Sequence, residues 1–422
     1  MQGNELKRFA VAVGLDWADG KHDILERDCA TGAESCYKVQ NTPEAVSKWL
    51  SELESRRSGG LVGVCMEACP GFLQPMLAAS GFVELYALNP SMASKYRSAF
   101  FPSGAKDDPT DAALLLEMLL SHRDKLRMIR RGGDTFAALG ELVASRRSLV
   151  DERTRLVQKL QAELKSYYPQ ALALCGELDS GMACDFIVKW PSVHALAKAK
   201  PHVLRKFYYA HNSRSETLVA ARIESATAAV SALPDGELCA AHALMAASLA
   251  KQIDSLGAHI RKFDAKIDSL FDTCPDAEVF KSFPGAGAAL APRLMVAMGE
   301  EKEAYDNAGE VQNQAGVSPV TIRSGKSSKV CHRHQCSKFL KQTFHEFAGH
   351  SIVYSSWARA YYKSQMAKGC AHHAAVRSLA FKWIRIIFRC WKTGCPYDEK
   401  RYVQSLIDKG TALGLELKAK AA

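Results

Sequence analysis

Long apolar runs are the first thing this 422-residue chain lacks. No stretch of about 18 apolar residues is there to span a bilayer. The run FAVAVGL, which follows Lys7 and Arg8, stops at Asp16 with no small-residue cleavage site behind it. It reads as a buried strand, not as a signal peptide. No C-x₂-C pair occurs, and the 13 cysteines are odd in number and scattered through a large chain. A disulfide framework is therefore excluded, and a structural zinc site is disfavoured even where Cys331, His332, His334 and Cys336 crowd together. Low-complexity tracts are absent too: 47% of residues are hydrophobic and 24% charged, enough to bury a core of two or three domains. The chain is therefore expected to be soluble and intracellular, with reduced thiols and no membrane partner.

The scarcity that says most is of carboxylates near the C-terminus. Residues 311 to 400 hold 15 Lys and Arg against 3 Asp and Glu, whereas residues 1 to 130 hold 15 against 17. The formal excess of +10 is thus concentrated in one block. Such a block fits a polyanion, most commonly nucleic acid.

What is present divides into three styles. Near the start, apolar runs 9–15, 61–66 and 82–88 alternate with helical patterns at 43–55 and 71–79, which predicts an α/β layer. After Asp16, the turn Asp19-Gly20-Lys21 and the segment HDILERD read as a hairpin return. In the middle, Val143, Val150, Val157 and Leu164 repeat every seven residues beside Leu142, Leu149 and Leu156. Leu249, Ile253, Leu256, Ile260, Phe263, Ile267 and Leu270 answer them later. Two such seams predict long helices that pair as an internal antiparallel hairpin or serve subunit association, and the two are compatible. Further on, Phe-Pro-Gly-Ala-Gly at 283–287 precedes an apolar helix, so Gly285 and Gly287 could bring backbone amides up to a phosphate or simply make a turn.

Four acids are expected at the end of an element. Asp16 and Glu67 close apolar strands, and Asp108 and Asp111 open the helix AALLLEMLL at i, i+3 spacing, on one face. Clustered carboxylates repel one another unless a cation neutralises them, which points to a divalent metal with oxygen ligands. Mg²⁺ suits this set, with Mn²⁺ as a substitute, and two ions would stabilise both oxygens of an in-line displacement at phosphorus. Taken singly, Asp108 and Asp111 would serve equally as complements to the helix dipole.

In the basic block, NQAGVSPVTIRSGKSSKV reads as a polar loop that exposes Ser324 between Arg323 and Lys326. A hydroxyl there could attack phosphorus with the cations stabilising the developing charge, or merely touch phosphate. Ser318, Ser327 and Ser328 compete for either role. Lys329 and Arg333 extend the cationic stretch. Beyond them VRSLAFKWIRIIFRCWK sets Lys382, Arg385, Arg389 and Lys392 on one face of an amphipathic helix, a phosphate-binding stripe.

Taken in order, VGLDWADGKHD, CMEACPG, LNPSMASKYR with KDDPTDAALL, FPGAGAALAPRLMVAMGE and NQAGVSPVTIRSGK resemble the one-hundred-and-ten family of insertion sequences, whose transposases are bridge-RNA-guided recombinases. The resemblance covers nearly the whole chain. It implies an RNase H-like (RuvC-like) α/β domain over residues 1–130, a coiled-coil and helical insertion over 131–275, and a mainly helical transposase domain over 276–422 with a helix-hairpin-helix-like element. Carried over by motif, Asp16, Glu67, Asp108 and Asp111 match the family's four acids and Ser324 its nucleophilic serine. Asp107 stands where the family commonly has Thr, and the spacing to Asp111 favours Asp108. Cys-Pro follows Glu67-Ala68 where Thr-Gly is usual. The resemblance further implies Mg²⁺, a structured noncoding guide RNA, double-stranded target and donor DNA, and dimers assembling into a tetramer whose sites combine acids of one subunit with serine of another. Strands would be cut through a phosphoserine intermediate and resolved through a Holliday junction. Two other readings stand beside it: a metal-dependent junction endonuclease in which water attacks, and a noncatalytic architectural protein.

Overall fold

The computed structural model describes residues 8–67, 69, 71–100, 108–129, 132–325 and 327–421, with backbone alone for Pro90, Ser91, Phe100, Asp108, Pro109, Arg127, Lys420 and Ala421. These fall into two compact units, residues 1–133 and 134–422.

The first unit is a six-stranded mixed sheet, consistent with the expected α/β layer. Strands β1 (Phe9–Asp16), β2 (Lys21–Asp28), β3 (Glu34–Gln40), β4 (Leu61–Glu67), β5 (Val83–Leu88) and β6 (Arg127–Ile129) lie in the order β3-β2-β1-β4-β5-β6. β1, β4 and β5 run parallel, whereas β2, β3 and β6 pair antiparallel with their neighbours. Helices α1 (Pro43–Arg56), α2 (Leu73–Ala79), α3 (Pro90–Phe100) and α4 (Asp108–His122) complete it. Thr42 starts α1 by accepting a hydrogen bond from the Ala45 amide, with Pro43 preset for the first turn.

The pleat sorts the apolar runs onto two faces. Val11, Val13, Leu15, Val62, Val64 and Met66 pack with Trp49 and Leu53 of α1 and Leu77 of α2. Ala12, Cys65 and Tyr86 point the other way, to Leu115, Leu116 and Leu119 of α4. Burial on both faces explains why these strands read as continuous apolar runs. β3 and β6 escaped sequence reading because ESCYKVQ is an edge strand with mostly exposed residues and RMI is only three residues long.

The second unit is built on two long helices, α5 (Asp134–Tyr167) and α11 (Glu237–Phe271). They pair antiparallel: Arg146 of α5 bonds Asp264 of α11 near one end, and His242 of α11 sits 2.6 Å from Glu163 of α5 near the other. At about 1.5 Å per residue each spans roughly 50 Å. The seam is Leu139, Val143, Leu156, Leu160 and Leu164 against Leu249, Ile253, Ile260 and Ile267, while Leu149 and Val150 stay half-buried. The internal pairing anticipated for the heptads is therefore present, with the seam drifting off the strict seven-residue row.

At one end of this pair α6 (Gln170–Cys175), α7 (Gly181–Lys189), α8 (Val193–Ala197), α9 (Pro201–Ala210) and α10 (Glu216–Thr227) enclose a core with Leu160, Leu164, Leu249 and Ile253. At the other end the pair shares a core with α12 (Ala277–Lys281), α13 (Gly287–Met298), α14 (Ala308–Gln314), α15 (Lys338–Tyr354), α16 (Ser356–Ala367), α17 (His372–Thr393), α18 (Glu399–Asp408) and α19 (Ala412–Ala421), while the hairpin of β7 (Val320–Ser324) and β8 (Ser327–Cys331), between α14 and α15 in the chain, stays largely exposed. Leu139, Val143, Ile267 and Phe271 lie in that core, so packing is continuous across position 275. Three fully buried tryptophans anchor it, each N–H satisfied: Trp357 donates to Tyr397 and Trp383 to Ser351, both at 2.8 Å, and Trp391 to the Gly299 carbonyl at 3.2 Å. Among the described residues no helix is long and apolar enough to cross a membrane.

Candidate active site

Strand order reverses between β1 and β4, the place in an open α/β sheet where the carboxyl ends of strands leave a crevice. Asp16 and Glu67 are the last residues of those two strands. The parallel register pairs Gly14 with Cys65 and Leu15 with Met66, which makes Asp16 and Glu67 the next neighbours. Two residues beyond Gly14 and Cys65, they share the sheet face that carries α4.

Gly14 sets how close α4 comes. A Cβ there would lie 2.0 Å from the Ala112 carbonyl oxygen and 2.6 Å from the Leu116 nitrogen, so the helix backbone rests directly on the strand. This approach brings the first turn of α4, with Asp111, to the end of β1. Asp111 is mostly buried and forms an ion pair with Arg97 of α3. Asp108 is the first residue of α4, and its side chain lies outside the described residues. Below the acids, burial and then the Glu67 charge push the Cys65 thiol up to about 12, so it stays a neutral core group.

Sequence reasoning missed two side chains here. Asp23 lies directly across from Asp16 on β2, nearly buried and 2.8 Å from Lys38. Arg97, the other, holds Asp111. A signal for the close approach was available in the single glycine inside FAVAVGL, but nothing local marks Arg97 as its partner.

Among the described residues no three His, Cys, Asp or Glu side chains are grouped tightly enough to hold a metal. The donor set itself is of the right kind: hard carboxylate oxygens at the ends of neighbouring elements fit Mg²⁺, with Asp16, Glu67, Asp108 and Asp111 as the residues that would hold it.

Ser324 is placed differently from the expected loop. It is the last residue of β7, paired with Ser327 across a turn at Gly325, whose φ is +55°. A turn of this kind converts the polar stretch into a hairpin. Ser324 is exposed and shares its face with Ser327, Ile322 and Lys329; Arg323 and Ser328 lie on the opposite face with Val330. Ser318 lies outside the hairpin, its amide bound to the Gln312 carbonyl. Lys326 falls outside the described residues. Ile322 is 55% and Val330 66% exposed, so both faces of the hairpin present uncovered apolar surface.

The remaining basic residues take several roles. Gly285 adopts φ +80° beneath Tyr354 and the His350 backbone, where a Cβ would lie 2.8 Å from the tyrosine ring. It turns the chain into α13, whose first residue is Gly287 and whose cap, Ala286, offers no side-chain bond. The first amides of that helix therefore lack an intrahelical partner. On α17, Arg385 and Arg389 are exposed. Lys382 instead lies over the Tyr361 ring at 4.8 Å, and burial, followed by Arg385, lowers its pKa. Lys392 bonds the Lys302 carbonyl. Arg333 is half-buried in the segment after β8.

An N-terminal α/β unit with strand-end acids and a basic helical unit with an exposed serine are compatible with a protein that acts on nucleic acid strands. Comparison makes this specific. Residues 13–169 match a family of DEDD type described as transposase, and residues 277–363 match the transposase family IS116/IS110/IS902. The chain belongs to the IS110 family and is a transposase of an insertion element. It is 26% identical to the IS117 mini-circle protein of Streptomyces coelicolor over 94% of this chain and 98% of that one. It is also 26% identical to the 42 kDa protein of insertion element IS900 of Mycobacterium paratuberculosis, over 85% and 90% of the two chains. The 44.8 kDa protein of IS116 from Streptomyces clavuligerus is 25% identical, over 89% and 93%.

Proposed function

We propose that this transposase is an RNA-guided DNA recombinase that cuts and rejoins strands through a phosphoserine intermediate with help from a divalent metal. The observation that carries the reading is a pair of complementary half-sites: neighbouring strand-end carboxylates in one unit, and in the other a serine exposed beside a hairpin turn in a segment free of acids. Neither half is a complete phosphoryl-transfer site alone. In the proposal the acids of one protomer of a tetramer serve the serine of another, and a structured noncoding RNA selects donor and target DNA.

The chemistry follows from the residues. The Ser324 oxygen attacks phosphorus and forms a Ser–O–P bond as the phosphorus–oxygen bond to the departing deoxyribose breaks; the serine proton is lost and a proton ends on the departing oxygen. One phosphate ester replaces another, so the bond energy is kept for rejoining. A strand hydroxyl then attacks the phosphoserine, restoring the serine and joining a new strand. A bound divalent cation would supply charge stabilisation at the attacking and leaving oxygens. Lys329, on the Ser324 face, would offset charge on the attacked phosphate, while Arg323, on the opposite face, would meet a neighbouring one. Ile322 and Val330 give the hairpin the apolar surface expected of an element that is covered on assembly.

The test is covalent trapping. Wild-type protein incubated with cleavable donor or target DNA and guide RNA should yield a protein–DNA adduct at Ser324, and Ser324→Ala and Asp16→Ala should both lose it. Cleavage that persists without any adduct, yet needs Asp16, would instead establish water as the attacking group.

A further inference from the structure

Between residues 311 and 397 the sequence has one carboxylate, Glu346. Its oxygens are bonded by Arg293 and, at 3.0 Å, by Arg147. With Glu346 so engaged, the other cations of this region outnumber their acids, and one group of them is gathered where two helices meet. Helices α15 and α17 pack together, and each carries an i, i+4 pair of one permanent cation and one imidazole: Lys341 and His345 on α15, His373 and Arg377 on α17. Residues so spaced share a helix face. The His345 and His373 rings are 5.5 Å apart, so the two pairs face each other.

His332, from the segment that follows β8, closes another side. Its Nε2 lies 3.2 Å from Lys341 Nζ, and its ring 5.1 Å from that of His334. His372 meets His373 edge to face at 5.0 Å and bonds the Tyr362 hydroxyl at 2.9 Å. The N-cap of α17, Ala371, gives no side-chain bond, leaving the helix's partial positive charge at the same place. Among the described residues no carboxylate pairs with Lys341 or Arg377.

The imidazoles register this crowding. His332 is held below its usual pKa by burial, then by Arg377, Lys341 and His334; His345 by burial, then by His373, with Arg377 and His372 adding to it. Like charges held together by a fold are unfavourable until an anion joins them. A phosphate oxygen accepts hydrogen bonds from all these donor types.

We propose that Lys341, His345, His373 and Arg377, with His332, form a binding site for a backbone phosphate of duplex DNA at the foot of the Ser324 hairpin. The proposal rests on the reading that the chain acts on DNA. β8, five residues long, separates His332 from the turn by about 17 Å at strand spacing, so a strand gripped here is held to one side of the serine. The contact is to phosphate and thus independent of base sequence.

The test measures binding of a short uncleavable duplex by the full chain, so a failed serine mechanism leaves it unaffected. Lys341→Gln with Arg377→Gln should weaken binding about tenfold near 0.1 M salt and make the plot of log affinity against log salt shallower by about 0.9 for each phosphate that is no longer neutralised. Lys341→Arg should restore most of the affinity. In histidine-labelled wild type, the His332 and His345 resonances should move toward the imidazolium position on adding duplex. If the double variant does not fold, His332→Asn, which leaves both helices intact, should still weaken binding and flatten the salt plot. An unchanged salt slope in a folded variant overturns the proposal, as do histidine shifts produced by RNA of the same length but not by the duplex. A wild-type chain that binds no duplex overturns both this site and the reading beneath it.

Discussion

Replacing Gly14 by alanine tests the geometry on which the acid corner depends. The added Cβ would start 2.0 Å from the Ala112 carbonyl oxygen, 2.6 Å from the Leu116 nitrogen and 3.0 Å from the Leu116 Cβ. Carbon and oxygen settle no closer than about 3.3 Å. Because the first two obstacles are backbone, α4 must shift by more than about 1 Å, as no rotamer change relieves the clash. Overpacking of this kind costs about 2 kcal/mol. Amide exchange in α4 should therefore speed up about 30-fold relative to wild type, since each 1.4 kcal/mol is about tenfold. The same shift moves Asp108 and Asp111 relative to Asp16 and Glu67, and misplacement by about 1 Å costs on the order of 100-fold in rate. DNA cleavage should fall accordingly while duplex binding by the second unit stays within a few tenths of a logarithmic unit of wild type. Gly63→Ala, on the same sheet face, is the comparison: its Cβ meets the Phe9 ring at 2.7 Å, a side chain that can turn aside. If α4 exchange in Gly14→Ala rises less than about threefold and cleavage is unchanged, the inferred seating of α4 on β1 is wrong.

Arg97→Ala frees Asp111 from its ion pair, so Mn²⁺ binding followed by electron paramagnetic resonance should tighten several-fold, and unchanged binding would show that Asp111 takes no part in metal affinity. Ser327→Ala separates the two serines on one hairpin face: it should leave the covalent adduct in place where Ser324→Ala removes it, and the reverse result would transfer the nucleophile to Ser327. Glu346→Gln removes the charge that faces Arg293, which is 6% exposed, and should destabilise the second unit by about 1–3 kcal/mol in urea unfolding; a loss under about 0.5 kcal/mol would mean the guanidinium is already satisfied elsewhere. Iodoacetamide at mildly alkaline pH should label exposed Cys36 and Cys395 rapidly and leave Cys65 unmodified, and early labelling of Cys65 would contradict its burial behind the acids.

Periodicity made the frame legible. Continuous apolar runs gave β1, β4 and β5, and a lone acid ending two of them marked the corner where Asp16 and Glu67 sit side by side. The paired long helices followed from two facing heptad seams, though the sequence left open whether the partner was internal. Arg146 with Asp264, and Glu163 with His242, answer that through side-chain pairs more than seventy positions apart, a separation no local pattern encodes. The Ser324 segment was misjudged for a related reason. Strand pairing is a relation between residues, and SSKV reads as polar loop until Gly325 folds it back on VTIR. Once paired, alternation does what composition could not: it puts Lys329 with the serine and Arg323 behind it, although Arg323 is the nearer in sequence.

The same distinction bears on how the acids should behave. Glu67 and Asp16 are fixed by the register of two central strands, whereas Asp111 depends on how α4 is seated and on Arg97. A carboxylate already paired with a guanidinium enters a metal site only if the new cation outcompetes the old one, so the acids of this corner are not equivalent. Asp16→Asn should then abolish Mn²⁺ binding at every concentration tested. Asp111→Asn should weaken it less, because in wild type part of that carboxylate's interaction energy is already committed to Arg97. In the Arg97→Ala background the Asp111 substitution should cost more than it does alone, a positive coupling in the double-mutant cycle. Additivity of the two substitutions would mean that Arg97 and the metal do not compete for Asp111, and the carboxylates would have to be regarded as one preformed set.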